Sequence, residues 1–192
     1  MIRKRMALIL AILLLLPSLA FAATVKYSTT GTVSGASFIT YSVVNNVTVP
    51  NPPAPPAFVQ KAFGTLTIKC KTTCNSMVGA SLTITIHQTL PGAGSGTLTT
   101  ASLVGVFTSS GGTIGVDWNG PVTITTVVNG KTYNTTYDPV DLFNVCHSGT
   151  CVAHLKVDIS QSVPEPNAAL LLRLGMLGLM GLVTVSRKMI SA

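Results

Sequence analysis

The chain has 192 residues, 47% of them hydrophobic and 9% charged, with a formal net charge of +7. That charge does not describe a basic surface: Arg3, Lys4 and Arg5 sit at the start and Arg173, Arg187 and Lys188 near the end, and between them six lysines stand against four aspartates. This near-balance leaves no footprint for nucleic acid, and the roughly 140 residues between the basic ends suffice for one domain with a real core but not for two.

Arg3-Lys4-Arg5 precede an apolar run from Met6 to Leu16, and the small residues Ala20 and Ala22 flank Phe21. A basic head, an apolar middle and a small-residue exit are the parts of a secretory signal peptide, so 1–22 is read as one, with cleavage after Ala22. The apolar run is short for a bilayer span, and Pro17 disfavours continuing it as a helix. Export carries the four cysteines into an oxidising compartment.

From 23 to 161 the chain shows no helical period and repeated alternation instead. In Ser81-Leu-Thr-Ile-Thr-Ile-His87, Leu82, Ile84 and Ile86 share one face and Ser81, Thr83, Thr85 and His87 the other, the pattern of a half-buried strand. Leu66, Ile68 and Cys70 alternate with Thr65, Thr67 and Lys69 in the same way. The sharpest local expectation is a hairpin over 122–137, turning at Asn129-Gly130, because a two-residue type I′ turn needs φ > 0 at both positions. That register sets Val128 opposite Lys131, Thr126 opposite Tyr133, Ile124 opposite Thr135 and Val122 opposite Tyr137. Further strands are expected near 24–33, 38–49, 97–107, 113–118, 141–146 and 151–159, with turns at Pro91-Gly92, Gly94-Ser95-Gly96 and Gly111-Gly112. The proline-rich 50–56 segment lacks the N–H groups for a full ladder and is read as an extended loop. The fold class is therefore all-β, an antiparallel β-sandwich of jelly-roll or immunoglobulin-like kind, with a barrel as the alternative.

The cysteines form two close pairs, Cys70-x3-Cys74 and Cys146-x4-Cys151, and three disulfide connectivities are open. Turn residues between strand-like arms favour local bridges, 70 to 74 and 146 to 151, with the second aligning Asn144 with Ala153 and Leu142 with Leu155. The rival is a zinc site built from all four sulfurs. His87, His147 and His154 are expected on outer faces or in a turn.

Enzyme chemistry needs a placed base or nucleophile. The body has no glutamate, no Gly-x-Ser-x-Gly elbow, no His-Glu-x-x-His and no phosphate loop, so no catalytic residue and no cofactor is assigned. Asp138-Pro-Val-Asp141 brings two carboxylates close in sequence, where turn formation explains them as well as glycosidase chemistry does. Trp118, the only tryptophan, is read as a core residue, with sugar stacking as the other reading.

The chain closes with Val163-Pro164-Glu165-Pro166, an apolar stretch over 168–186 carrying one charge, Arg173, and the basic pair Arg187-Lys188. The stretch is long enough to cross a bilayer as a helix, and the basic pair would stay cytoplasmic. Gly175, Gly178 and Gly181 leave it a smooth stripe that another helix can approach. The order of motif, Leu/Gly-rich helix and basic end over 162–192 resembles the PEP-CTERM sorting signal of Gram-negative, polysaccharide-producing bacteria. It departs from that pattern in the arginine within the helix and in its short basic end.

The resemblance implies that exosortase, a membrane cysteine protease, is a partner. It implies that the inner membrane holds the protein until cleavage near 163–166, and that the product goes to the cell surface or extracellular matrix, with extracellular polysaccharide as a candidate partner there. The expected role is structural, adhesive or glycan-associated. The alternatives are a secreted polysaccharide-acting enzyme and a four-cysteine metal-binding module.

Overall fold

The computed structural model of the chain describes residues 22–71, 74, 77 and 79–163. The expected signal peptide up to Phe21, with Ala20, and the expected sorting segment from Pro164 onward, with Glu165, Pro166, Arg187 and Lys188, lie outside the described residues.

Every described element is a strand: β1 (Val25–Ser34), β2 (Ile39–Ser42), β3 (Val47–Val49), β4 (Val59–Lys69), β5 (Ser81–Leu90), β6 (Gly94–Val104), β7 (Phe107–Thr108), β8 (Gly111–Trp118), β9 (Val122–Val128), β10 (Lys131–Pro139), β11 (Leu142–Cys146) and β12 (Thr150–Ser162). They form a seven-stranded sheet ordered β11-β8-β6-β5-β1-β3, with β7 on β8, and a five-stranded sheet ordered β2-β4-β12-β10-β9. All pairings are antiparallel.

The alternation in the sequence becomes the core. Leu82, Ile84 and Ile86 of β5 join Val25 and Tyr27 of β1 and Ile114 and Val116 of β8 from one sheet, while Leu66 and Ile68 of β4, Ile124 of β9 and Ala153 through Ile159 at alternate positions of β12 fill it from the other. Each large aliphatic side chain so buried contributes roughly 1.5–3 kcal/mol. The β9–β10 hairpin has the expected register from Val128 opposite Lys131 to Val122 opposite Tyr137, and Asn129 and Gly130 adopt φ of 52° and 72°. Its outer face is tied by hydroxyl and amide contacts, Thr123 with Thr136 at 2.9 Å and Thr125 with Asn134 at 2.9 Å.

Three expectations need correction. The turn expected at Gly111-Gly112 falls at Ser109-Ser110, and both glycines pair within β8, Gly111 opposite Thr108 and Gly112 opposite Phe107. The run 38–49 is two strands in different sheets: β2 pairs with β4, then the chain crosses at Asn45-Asn46, where Asn46 has φ 54°, and β3 pairs with β1. Gly94-Ser95-Gly96 is no turn but the start of β6, opposite Gln88, His87 and Ile86 of β5. Its glycines are there for closeness, since a Cβ at Gly94 would come within 2.6 Å of Ile124 and one at Gly96 within 2.8 Å of Val122. Side chains of β9 thus rest on bare β6 backbone, where any larger residue would push the sheets apart.

The sheets are also joined by a polar relay. The Val44 N–H donates to Thr29 Oγ1 (3.1 Å), the Thr29 hydroxyl donates to the Tyr41 hydroxyl oxygen (2.7 Å), and the Tyr41 hydroxyl donates to the Phe63 carbonyl (2.7 Å). The acceptor exists because β4 is bulged there: Leu155 pairs with Gly64 and Lys156 with Ala62, leaving Phe63 as the extra residue, and Gly64 takes φ 141°. β2 ends opposite Thr65, so the carbonyls beyond it lack a strand partner on that side. The Ala62 carbonyl is met by the Tyr27 hydroxyl from the opposite sheet at 2.6 Å, and Tyr137, edge-on to Tyr27 at 5.4 Å, reaches back to Gln88 Oε1 at 2.9 Å. Burial raises the ionisation of Tyr27 and Tyr137 far above the ordinary 10.0, helped by their proximity to other phenols. Burial also raises Tyr41, partly offset by the hydrogen bond from Thr29.

Two outcomes follow from the relay and its neighbours. Tyr41→Phe strands a buried hydroxyl and a bulge carbonyl, so denaturant unfolding should show a loss of about 1–3 kcal/mol. Alkali should also unfold the domain. The phenols stay neutral in the folded state where unfolded tyrosines ionise, so stability is full below pH 10 and falls as pH rises, by about 1.4 kcal/mol per pH unit for each of Tyr27 and Tyr137. Tyrosinate absorbance and circular dichroism followed together should change in one step; ionisation of these tyrosines in a still-folded protein would contradict the packing.

Candidate functional site

The described residues hold no group of three or more His, Cys, Asp or Glu placed to bind a metal, and they set the cysteines and the residues next to the expected cleavage positions at opposite ends of the strands.

At one end lie both disulfides, Cys70 to Cys74 and Cys146 to Cys151. They adjoin: β4 leads into Cys70, whose N–H donates to the carbonyl of Gly149, between Cys146 and Cys151, at 2.6 Å. All four sulfurs are in S–S bonds and none is left as a thiolate to hold zinc. The arms of the second bridge are not a hairpin. β11 belongs to the seven-stranded sheet and β12 to the five-stranded one, so Asn144 pairs with Ile114 and Ala153 with Leu66, and the Asn144 Nδ2 donates to Cys151 Sγ at 3.6 Å. The bridge therefore pins the corner where the chain changes sheet.

At the other end the two chain boundaries meet. The Ala23 N–H donates to Gln161 Oε1 at 2.7 Å, Gln161 Nε2 donates to Thr135 Oγ1 at 3.1 Å, and the Gln161 N–H donates to the Pro53 carbonyl at 2.9 Å. Gln161 is a buried polar residue with its amide fully engaged, which suits a fixed join. Pro53 gives the proline-rich loop a role the composition did not announce, as a carbonyl acceptor beside the last strand. Ala22 and Val163, the outermost members of the two expected signals to be described, are both part-exposed and lie three positions before β1 and one position after β12.

The other candidates scatter. His87 bonds Thr30 Oγ1 at 3.0 Å on the outer face of one sheet, His154 lies 3.4 Å from Thr65 Oγ1 on the outer face of the other, and His147 is exposed in the turn between Cys146 and Cys151. Asp141 accepts the Trp118 N–H at 3.2 Å, whereas Asp138 stands opposite Asp158 on the five-stranded sheet. Trp118 is a core residue: its indole N–H donates to the Val140 carbonyl at 3.1 Å and its ring meets Phe63 edge-on at 5.6 Å. Gln161 was invisible to motif reading because a lone glutamine near a strand end carries no pattern. Compared with protein-family models, curated proteins and solved structures, the chain finds no match.

Because each disulfide closes only a short loop, replacing Cys146 and Cys151 together by Ser should lower unfolding free energy by about 2 kcal/mol in the chain-entropy account without abolishing the fold. Chemical denaturation of the double variant reads this directly, and an unfolded variant would show that the corner depends on the bridge.

Proposed function

We propose that the protein is an exported β-sandwich module, jelly-roll or immunoglobulin-like in kind, sorted by exosortase to the cell surface or extracellular matrix. There it serves a structural, adhesive or glycan-associated role and not catalysis. The reading rests on the resemblance of 162–192 to the PEP-CTERM signal and of 1–22 to a secretory signal.

One observation carries it further. The expected cuts, after Ala22 and near 163–166, fall outside the twelve described strands, and Ala23 and Gln161, close to them, are bonded to each other. A domain whose ends are joined at one place can lose both flanking segments without losing a described strand, and can be held at that place while the rest stays accessible. Two disulfides suit an oxidising destination. Outer faces rich in Ser and Thr, as on β5 and β9, suit a hydrated, hydroxyl-rich surrounding.

Intact-mass measurement of the protein from its native host, with and without the exosortase, tests the proposal. The mature mass should correspond to loss of both ends, and deleting the protease should leave the C-terminal segment attached. A mature form retaining 167–192 in the presence of the protease would overturn it.

A further inference from the structure

The seven-stranded sheet ends at β11, which pairs with β8 on one side and, among the described residues, with no strand on the other. The peptide groups along such an edge are open to a strand from another chain, and native sheets commonly block the approach with lysine or proline. β11, Leu-Phe-Asn-Val-Cys, carries neither.

On its outer face Phe143 and Val145 are exposed to 73% and 52%, and the exposed Asp141 and His147 stand immediately before and after the strand, Asp141 accepting the Trp118 N–H with one carboxylate oxygen. Val104 and Val106 widen the apolar area. Val104 and Phe143 both stand opposite Gly115, which has no side chain to separate them, and Thr113, opposite Val145, donates its amide to the Val106 carbonyl at 3.1 Å. Val104 and Val106 are themselves 48% and 61% exposed.

The order acid, apolar, apolar, imidazole is self-complementary when reversed. In an antiparallel pair of β11 strands with Asn144 on the twofold axis, Phe143 of each copy lies against Val145 of the other, and Asp141 of each lies against His147 of the other. With Phe143 on the axis, Val145 would instead meet Asp141; with Val145 on the axis, Phe143 would meet His147. Only the Asn144-centred register pairs apolar with apolar and carboxylate with imidazole at once. We propose that β11 is the edge through which two copies of this chain associate, joining their seven-stranded sheets into one across a twofold axis. A five-residue strand with a small apolar patch makes an interface at the small end of the specific range, so the dimer forms in the micromolar regime. This inference stands apart from the sorting reading, since it uses only the folded domain.

Sedimentation equilibrium of the exported protein should show a monomer–dimer equilibrium. Val145→Lys should weaken association at least about tenfold by setting a charge in the apolar row. His147→Asp, which sets two carboxylates face to face, should weaken it in the same direction from a turn position that tolerates substitution. Val145→Ile should retain the dimer, and unchanged circular dichroism and thermal midpoints confirm that the variants fold. A wild-type protein that stays monomeric throughout the micromolar range, or a dimer indifferent to both Val145→Lys and His147→Asp, would overturn the proposal.

Discussion

The structure turns on the Phe63 carbonyl. A bulge in β4 leaves this residue without a ladder partner, and a buried carbonyl without a partner is expensive. The Tyr41 hydroxyl meets it, the Thr29 hydroxyl meets Tyr41, and the Val44 amide meets Thr29. Each donor polarises the next, so the relay is worth more than its separate bonds, and it runs from one sheet to the other and through the crossing segment between β2 and β3. Remove the bulge and the relay loses its end. Two further bonds hold the same crossing segment to β1, the Thr29 N–H donating to the Val44 carbonyl at 2.9 Å and the Asn46 N–H to Ser28 Oγ at 3.0 Å.

The apolar core supplies most of the stabilisation, but apolar contacts are tolerant of sliding. Polar contacts are not. The Tyr27 bond to Ala62, the Tyr137 bond to Gln88 and the Gln161 bonds to Ala23 and Thr135 each join elements distant in the chain, and each satisfies groups that burial would otherwise leave unpaired. Register between the sheets is thus set by a few hydroxyls and amides, while close approach is permitted by Gly94 and Gly96 beneath β9.

This division explains what could be read from the sequence. The β9–β10 hairpin was legible because Asn129-Gly130 and two-residue alternation are both local. The disulfides were legible because each joins cysteines only a few residues apart. The break of 38–49 into β2 and β3 was not, because the apolar pattern continues through a segment whose fate is decided by Thr29 and the bulge at Phe63. Gly94-Ser95-Gly96 carries the composition of a turn, and only the side chains of β9 reveal why glycine is needed in a strand. The join between the ends of the described domain was half legible: the expected signals have motifs, whereas Gln161, which bonds Ala23, has none.

We propose that the β domain is self-contained and that neither flanking segment is needed for its fold. The most direct test compares thermal unfolding of the full chain in detergent with that of a chain comprising 23–163. The account predicts the same β spectrum and the same midpoint for both. A shortened chain that is unfolded, or that melts well below the full one, would show that the flanking segments are part of the fold, and would contradict it.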